Sequence, residues 1–491
     1  MHFIIPDDRS QLTFYGKLDD LVAEDHPVRL LDLIVNQIVN SNIEKFTQKG
    51  QSEIGRKAFH PGTLSKLYLY GYCNGISSSR KLEVECYRNI ELIWLMGNLK
   101  PDHKTIADYR KDHEQEIKFV ALEFRRFLKE NGYISGKTIS LDGTKIKANA
   151  NRDMLSLEKI ENRLEDLQGK LDQYLKKLHA NDLEDDLLDE INDLPEEESK
   201  AFLIDKIIQL EKKVEELAKS KEILLTQKIK SISLSDPDAR LMKSRDGKIP
   251  GYNAQVAVDT KNKLIVLAEV TNKQGDQDQL KPSVDRLNEQ LEMTPEQVIA
   301  DKGFYNIAQI QTIEQDKRTT CYIPPIENSN KKSDQLSNIT FTFDPQKGEY
   351  YCSQGKPLVL FARNIKKRNR IADKYIGTEC LGCPIRAKCT HSKKGRILHR
   401  YKNEEWVEDY KKRMESPFAK QMSGLRKETS EHIFGTIKSW MGKIPLVLRG
   451  RRKVQIEIDL YATSYNFKRL INLNSMEYLL TEVKNYKWKA L

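Results

Sequence analysis

Three carboxylates far apart in the sequence, Asp142, Asp301 and Glu431, are the residues from which chemistry can start. Asp142 lies in the stretch 137–147, where Ile139 and Leu141 alternate with Ser140 and Asp142 at the side-chain period of a strand. Gly143 next to it would leave room for a ligand. Asp301 closes the short strand expected over 296–301. Glu431 belongs to a long helical stretch, with Lys427 four residues before it and Lys438 seven after, all on one face. Each has a plain reading: Asp142 as a salt-bridged strand residue, Glu431 and Lys427 as a solvated helix pair. Brought together, three carboxylates cannot all stay ionised without compensation. Mg²⁺ or Mn²⁺, hard cations that take oxygen ligands, would supply it. Two such ions about 4 Å apart would activate water and steady the leaving oxygen in a phosphodiester displacement.

Cysteines form the second constellation. Cys352 precedes Cys380-Leu381-Gly382-Cys383 and then Cys389, in a stretch rich in cations. Two knuckle-like turns that bring four thiolates together suit a structural, tetrahedral Zn²⁺. A small polar segment unable to bury a core would gain its fold from that metal. An iron–sulfur cluster or unpaired thiols are the alternatives. Cys73, Cys86 and Cys321 sit in apolar surroundings and read as core.

Composition narrows the partners. Over 491 residues, 82 Lys and Arg stand against 72 Asp and Glu, a net charge of +10, so a polyanion is the expected partner. Without any run of about 20 apolar residues, no membrane span is expected. Seven cysteines, an odd number, and a start lacking signal-peptide features point to a reducing, cytoplasmic setting.

The elements that must position these residues follow from periodicity. Residues 1–131 read as an all-α domain, including a basic helix near 104–111 that suits a helix-turn-helix reader of DNA. Residues 132–154 hold the Asp142 strand. Residues 155–230 carry two heptad seams, one from Leu157 to Leu178 and one from Leu203 to Leu224 that only Lys221 breaks. Between the seams, residues 181–198 hold ten acidic residues and no basic one, so a helical hairpin with an acidic turn is expected. Residues 231–329 resume with a two-stranded hairpin and then alternate helix and strand. Residues 330–402 form the basic, Cys-rich insertion, and residues 403–491 add late helices. Three strands, the last two in a hairpin, followed by alternating helix and strand give a mixed α/β sheet in the order of the RNase H-like fold. In that order the strands carrying Asp142 and Asp301 are neighbours. Ser235-Asp236-Pro237-Asp238 reads as a plain turn.

Several motifs resemble the DDE transposases of bacterial insertion sequences, most closely the eleven-eighty-two family. They include Glu24-Asp25-His26-Pro27-Val28-Arg29, Ser140-Leu141-Asp142-Gly143-Thr144-Lys145, Asp236-Pro237-Asp238-Ala239-Arg240, Gly251-Tyr252-Asn253, Ala300-Asp301-Lys302-Gly303-Phe304 and Glu431-His432-Ile433-Phe434-Gly435-Thr436-Ile437-Lys438. The resemblance implies an RNase H-like catalytic core with Asp142, Asp301 and Glu431 as the metal-binding triad and Lys438 beside it. It implies binding of double-stranded DNA, at transposon ends and target, by a homo-oligomer such as a dimer in a bacterial, nucleoid-associated setting. Lys302, Arg426, Lys427, Lys366, Lys367, Arg368, Arg370, Arg449, Arg451 and Arg452 are the cations expected on DNA. The broader group carries a Tyr and an Arg upstream of its Glu; here Gly424 and Lys427 stand in those places, with Arg426 adjacent. Lys does not reproduce the planar fork of Arg, so the Arg role stays open between Arg426 and Lys427. A catalytically inactive or repurposed DNA-binding protein derived from a transposase is the alternative, and a stand-alone nuclease a further one.

Overall fold

A computed structural model describes residues 17–46, 59–151, 153–179, 196–244, 247–326, 341–367, 370–440 and 446–488. Helices come first: α1 (Pro27–Asn40), α2 (Ile43–Phe46), α3 (Pro61–Cys73), α4 (Ser79–Arg88), α5 (Ile90–Leu95), α6 (His103–Asp112) and α7 (Glu114–Glu130). Two begin alike. A His precedes a Pro at the first helical position, and His26 and His60 each accept the backbone N–H two residues on, at 3.2 Å.

The central sheet has six strands: β1 (Thr138–Lys147), β2 (Arg240–Ser244), β3 (Gly247–Asp259), β4 (Leu264–Thr271), β5 (Gln297–Ala300) and β6 (Thr320–Tyr322). β1 pairs antiparallel with β3 and parallel with β5, and β6 continues parallel to β5. β3 carries β1 along one edge and β4 along the other, and its first residues turn back on β2. This is a mixed sheet in the expected order. β2 and the start of β3 extend it beyond the sequence reading, because Pro250 and Gly251 disguise a strand that runs on through them.

Between β1 and β2 stand α8 (Leu157–His179) and α9 (Glu196–Gln227). Leu155 and Ile232 bridge their base, and Leu155, Ile160, Leu217, Leu224 and Ile232 bury a small core there. The second seam runs through buried Ser220, while Lys221 turns outward to Glu161 at 2.9 Å. Of the acidic turn, residues 181–195 lie outside the described residues.

α10 (Leu280–Leu291) precedes β5, and α11 (Ile307–Lys317) follows it. Residues 341–401 then form a second, five-stranded antiparallel sheet, β7 (Thr342–Asp344), β8 (Glu349–Tyr351), β9 (Pro357–Lys367), β10 (Arg370–Gly377) and β11 (Ile397–Tyr401), with the short α12 (Arg386–Cys389). The expectation that this segment buries no core is corrected. Phe341, Tyr350, Leu358, Tyr375, Cys389 and Leu398 cluster, and the Arg400 guanidinium lies 3.6 Å from the Phe343 ring centroid.

The chain closes with α13 (Glu404–Glu415), α14 (Pro417–Trp440), α15 (Arg451–Ile471) and α16 (Met476–Asn485). From Ile456 to Phe467 α15 is buried on all sides, packed against β4 and helices α3 and α7. Its Asn466 accepts from Ile265 N and donates to Ile265 O, both at 2.8 Å. Gln455 likewise accepts from Val270 N at 2.7 Å and donates to Ala268 O at 2.9 Å. Side-chain amides thus occupy the outer edge of β4, which would otherwise expose unpaired backbone. Through α15 the N-terminal helices and the sheet share one continuous core. Within it α6 buries Ile106, Tyr109 and Arg110, and Arg110 donates to Tyr72 Oη at 3.1 Å and to Ser77 O at 2.8 Å. One cation of the basic helix is therefore structural.

Candidate metal and DNA site

Parallel pairing of β1 with β5 sets Leu141 opposite Ala300, and the next residues on each strand are Asp142 and Asp301. Asp142 thus lies mid-strand on β1 beside Asp301, the first residue past the end of β5. Asp142 Oδ1 accepts the Gly143 N–H at 2.8 Å, and Asp301 Oδ1 accepts the Gly303 N–H at 2.8 Å, capping the turn Lys302–Phe304. Burial lifts the Asp142 carboxyl from 3.8 to about 6. The Gly143 N–H and the Arg426 guanidinium oppose the rise, and the Asp301 and Asp276 carboxylates add to it.

α14 lies over this end of the sheet. Ser416 caps its first turn through Ala419 N at 3.2 Å. Among the described side chains of α14, Ala419, Met422, Thr429, Ser430 and Ile433 are buried; the helix packs on β1, β5 and β6, and Ser430 Oγ meets Ser140 Oγ at 2.9 Å. Ser140 shares a face of β1 with Asp142, and Arg426 shares a face of α14 with Ser430, so the docking brings Arg426 to Asp142. Lys427 is exposed. Of the two residues left open by the sequence, Arg426 is the one whose guanidinium acts on Asp142. Glu431 follows Ser430 on the same helix and Lys438 lies two turns on; both side chains lie outside the described residues.

Asp276 escaped the sequence reading. It sits on the other side of β1, where Lys145 Nζ donates to it at 3.1 Å, Asn253 Nδ2 at 2.6 Å and Gln255 Nε2 at 2.7 Å. A Cβ at Gly143 would stand 2.5 Å from Asp276 Oδ1. The room at Gly143 is thus taken by Asp276 and not left for a ligand. A loop acid has no periodicity to reveal it; the signal was indirect, in Lys145 and Asn253, polar residues inside strands. The Asp236–Asp238 turn is more than a plain turn. Buried Asp236 accepts Tyr252 Oη at 2.7 Å and Gly450 N at 3.1 Å, and Asp238 accepts Arg451 N at 3.0 Å, tying β2 and β3 to the start of α15.

The other expected DNA cations divide. Lys302, Lys366, Arg449, Arg451 and Arg452 are exposed. Arg452 Nε is bound to Glu114 at 2.7 Å, and Arg449 Nε donates to Asn149 O at 3.1 Å. Lys367 and Arg370 face each other across the tip of the β9–β10 hairpin. Their side chains, and all of Arg368, lie outside the described residues.

The donor set suits a hard divalent cation: two adjacent carboxylates, one of them half-buried and held back from ionising by its surroundings. Among the described side chains no three His, Cys, Asp or Glu groups stand at metal-binding spacing, so the pair needs a further ligand.

Residues 351–471 match the family model described as a transposase DDE domain, and residues 16–112 match a transposase domain (DUF772). Both stretches resemble transposase domains. The first contains α14 and α15, the second most of the N-terminal helices; Asp142 and Asp301 lie between the two. No curated protein matches the chain. Among solved structures there is a likeness to a piggyBac transposase in a synaptic complex with hairpin DNA, at 12% identity and a TM-score of 0.25, over 94% of this chain and 85% of that one. Among the described residues no helix is long and apolar enough to cross a membrane.

Proposed function

We propose that the chain is a DNA transposase that binds the terminal inverted repeats of an insertion sequence, cuts there and joins the freed 3′-hydroxyl to target DNA. The observation that carries this reading is the adjacency of Asp142 and Asp301 beneath α14, in a chain with transposase-domain matches near both ends. Asp142 and Asp301 would hold Mg²⁺ or Mn²⁺, with Glu431 on α14 as the third carboxylate. A bound ion there supplies Lewis acidity and a more acidic water. Arg426 offsets the charge of Asp142, and the Ser140–Ser430 bond holds α14 in register with β1. Lys302, exposed and next to Asp301, would meet a phosphate. The basic β9–β10 hairpin and Arg449, Arg451 and Arg452 would bind backbone without reading sequence. Two copies acting together would pair two ends.

Incubating the purified chain with labelled element ends, target DNA and Mg²⁺ tests this. Joined products support it. Binding without nicking would leave a DNA-binding protein of transposase descent, and nicking without joining would leave a nuclease.

A further inference from the structure

We infer that the small antiparallel sheet holds a tetrathiolate zinc ion, through Cys352, Cys380, Cys383 and Cys389, that locks the base of the basic β9–β10 hairpin. These four cysteines line one cavity, together with Phe341, Lys356 and Arg396 among others. All seven cysteines of the chain are unpaired. Two turns present the thiols. Gly355 N donates to Cys352 O at 2.8 Å in the first, and Cys383 N to Cys380 O at 3.4 Å in the second, with Arg386 N on Cys383 O at 3.1 Å. The sulfur of Cys380 accepts the Arg396 backbone N–H at 3.4 Å. Gly377 and Gly395 make space for that sulfur: a Cβ would stand 2.6 Å from it at Gly377 and 3.3 Å at Gly395.

No three of these four sulfurs stand at closed coordination spacing. Binding would therefore draw them inward by side-chain rotation within a cavity they already line. The need for a metal comes from the size of the sheet. Its core is six buried residues within 341–401, and a segment of this length rarely holds its fold on such a core without a staple. The site also has a topological consequence. Cys352 follows β8, and Cys380 and Cys383 follow β10, so the thiols gather at the end of the sheet opposite the hairpin tip at Lys367 and Arg370. Four sulfur ligands select Zn²⁺ over the oxygen-seeking cation expected at Asp142 and Asp301.

Elemental analysis of the full chain, purified without added metal, is expected to find about one zinc per chain. The Cys380→Ser, Cys383→Ser double variant is expected to lose it while keeping the far-UV spectrum of the larger sheet and helices. Replacement by Co²⁺ should give the visible absorption of tetrahedral cobalt thiolate. Wild-type chain that carries no zinc and binds no Co²⁺ overturns the inference, whatever the variant does. Equal zinc in both proteins, a disulfide among the four, or acid-labile sulfide would overturn it too. None of these readouts depends on DNA cleavage, so they stand or fall apart from the transposase reading.

Discussion

Ser140 on β1 and Ser430 on α14 share a buried hydrogen bond of 2.9 Å, and this bond sets the helix that carries Glu431 against the strand that carries Asp142. Both hydroxyls are almost fully enclosed, so removing one leaves the other without its partner. Ser430→Val should cost about 1–3 kcal/mol in denaturant unfolding and slow DNA nicking, with end binding kept. Ser430→Thr, which retains the hydroxyl, should recover part of both. A Val variant as active and as stable as wild type would show that the bond does not register the helix.

The acid pair makes a pH prediction. The Asp142 carboxyl titrates at about 6 in the folded chain against 3.8 as its ordinary value, so the folded state holds the proton more tightly. Its contribution to stability is full below the unfolded value and is lost as pH rises through about 6. Asp142→Asn should therefore be more stable than wild type at about pH 7.5, by up to about 3 kcal/mol, with the difference vanishing near about pH 4. Denaturant midpoints at the two values check this. Added Mg²⁺ should narrow the gap at the higher pH by stabilising the wild type alone.

Arg426 and Lys427 are adjacent in sequence but not equivalent. Arg426 lies on the docking face of α14 and offsets Asp142, whereas Lys427 is exposed. Arg426→Ala should reduce nicking about a hundredfold, the scale of a lost charge-stabilising group. Lys427→Ala should act mainly through a weaker salt dependence of DNA binding. The reverse ranking of nicking rates would transfer the Arg role to Lys427.

The α8–α9 hairpin should be removable. Leu155 and Ile232 already meet at its base, so the ends of the excised segment are close. Replacing α8 and α9 by a short Gly/Ser linker changes loop-closure cost little, since each doubling of length adds only about 0.6 kcal/mol. The shortened chain should melt cooperatively and still nick a single end. An insoluble or unfolded product would mean that the hairpin is part of the core.

How much of this was legible in the sequence depended on periodicity. Strand alternation around Ile139 and Leu141, and the parallel crossover to residues 297–300, were enough to make Asp142 and Asp301 neighbours. The heptads named their own partner, apart from the choice of Ser220 over Lys221. Periodicity failed where polar residues do structural work. The small sheet was hidden because Lys and Arg fill its strands and half of its core is aromatic. Asp276 is selected by three donors that converge only in space, from Lys145, Asn253 and Gln255. α15 was one of the late helices expected in 403–491, yet its Gln455 and its buried Asn466 pair with the edge of β4, a role visible only once that edge exists. Arg110 belonged to a basic helix by composition, and the Tyr72 hydroxyl takes it into the core.

The central claim is that Asp142 and Asp301 hold the divalent cation with which this chain cuts DNA. It is tested most directly by the Mg²⁺-dependent nicking rate of Asp142→Asn and Asp301→Asn on labelled element ends, with end affinity measured in parallel. Each substitution should lower nicking by about a thousandfold or more, while affinity, set by Lys and Arg, stays within about twofold. Nicking near the wild-type rate by either variant, or by wild type stripped of divalent cations, would contradict the account.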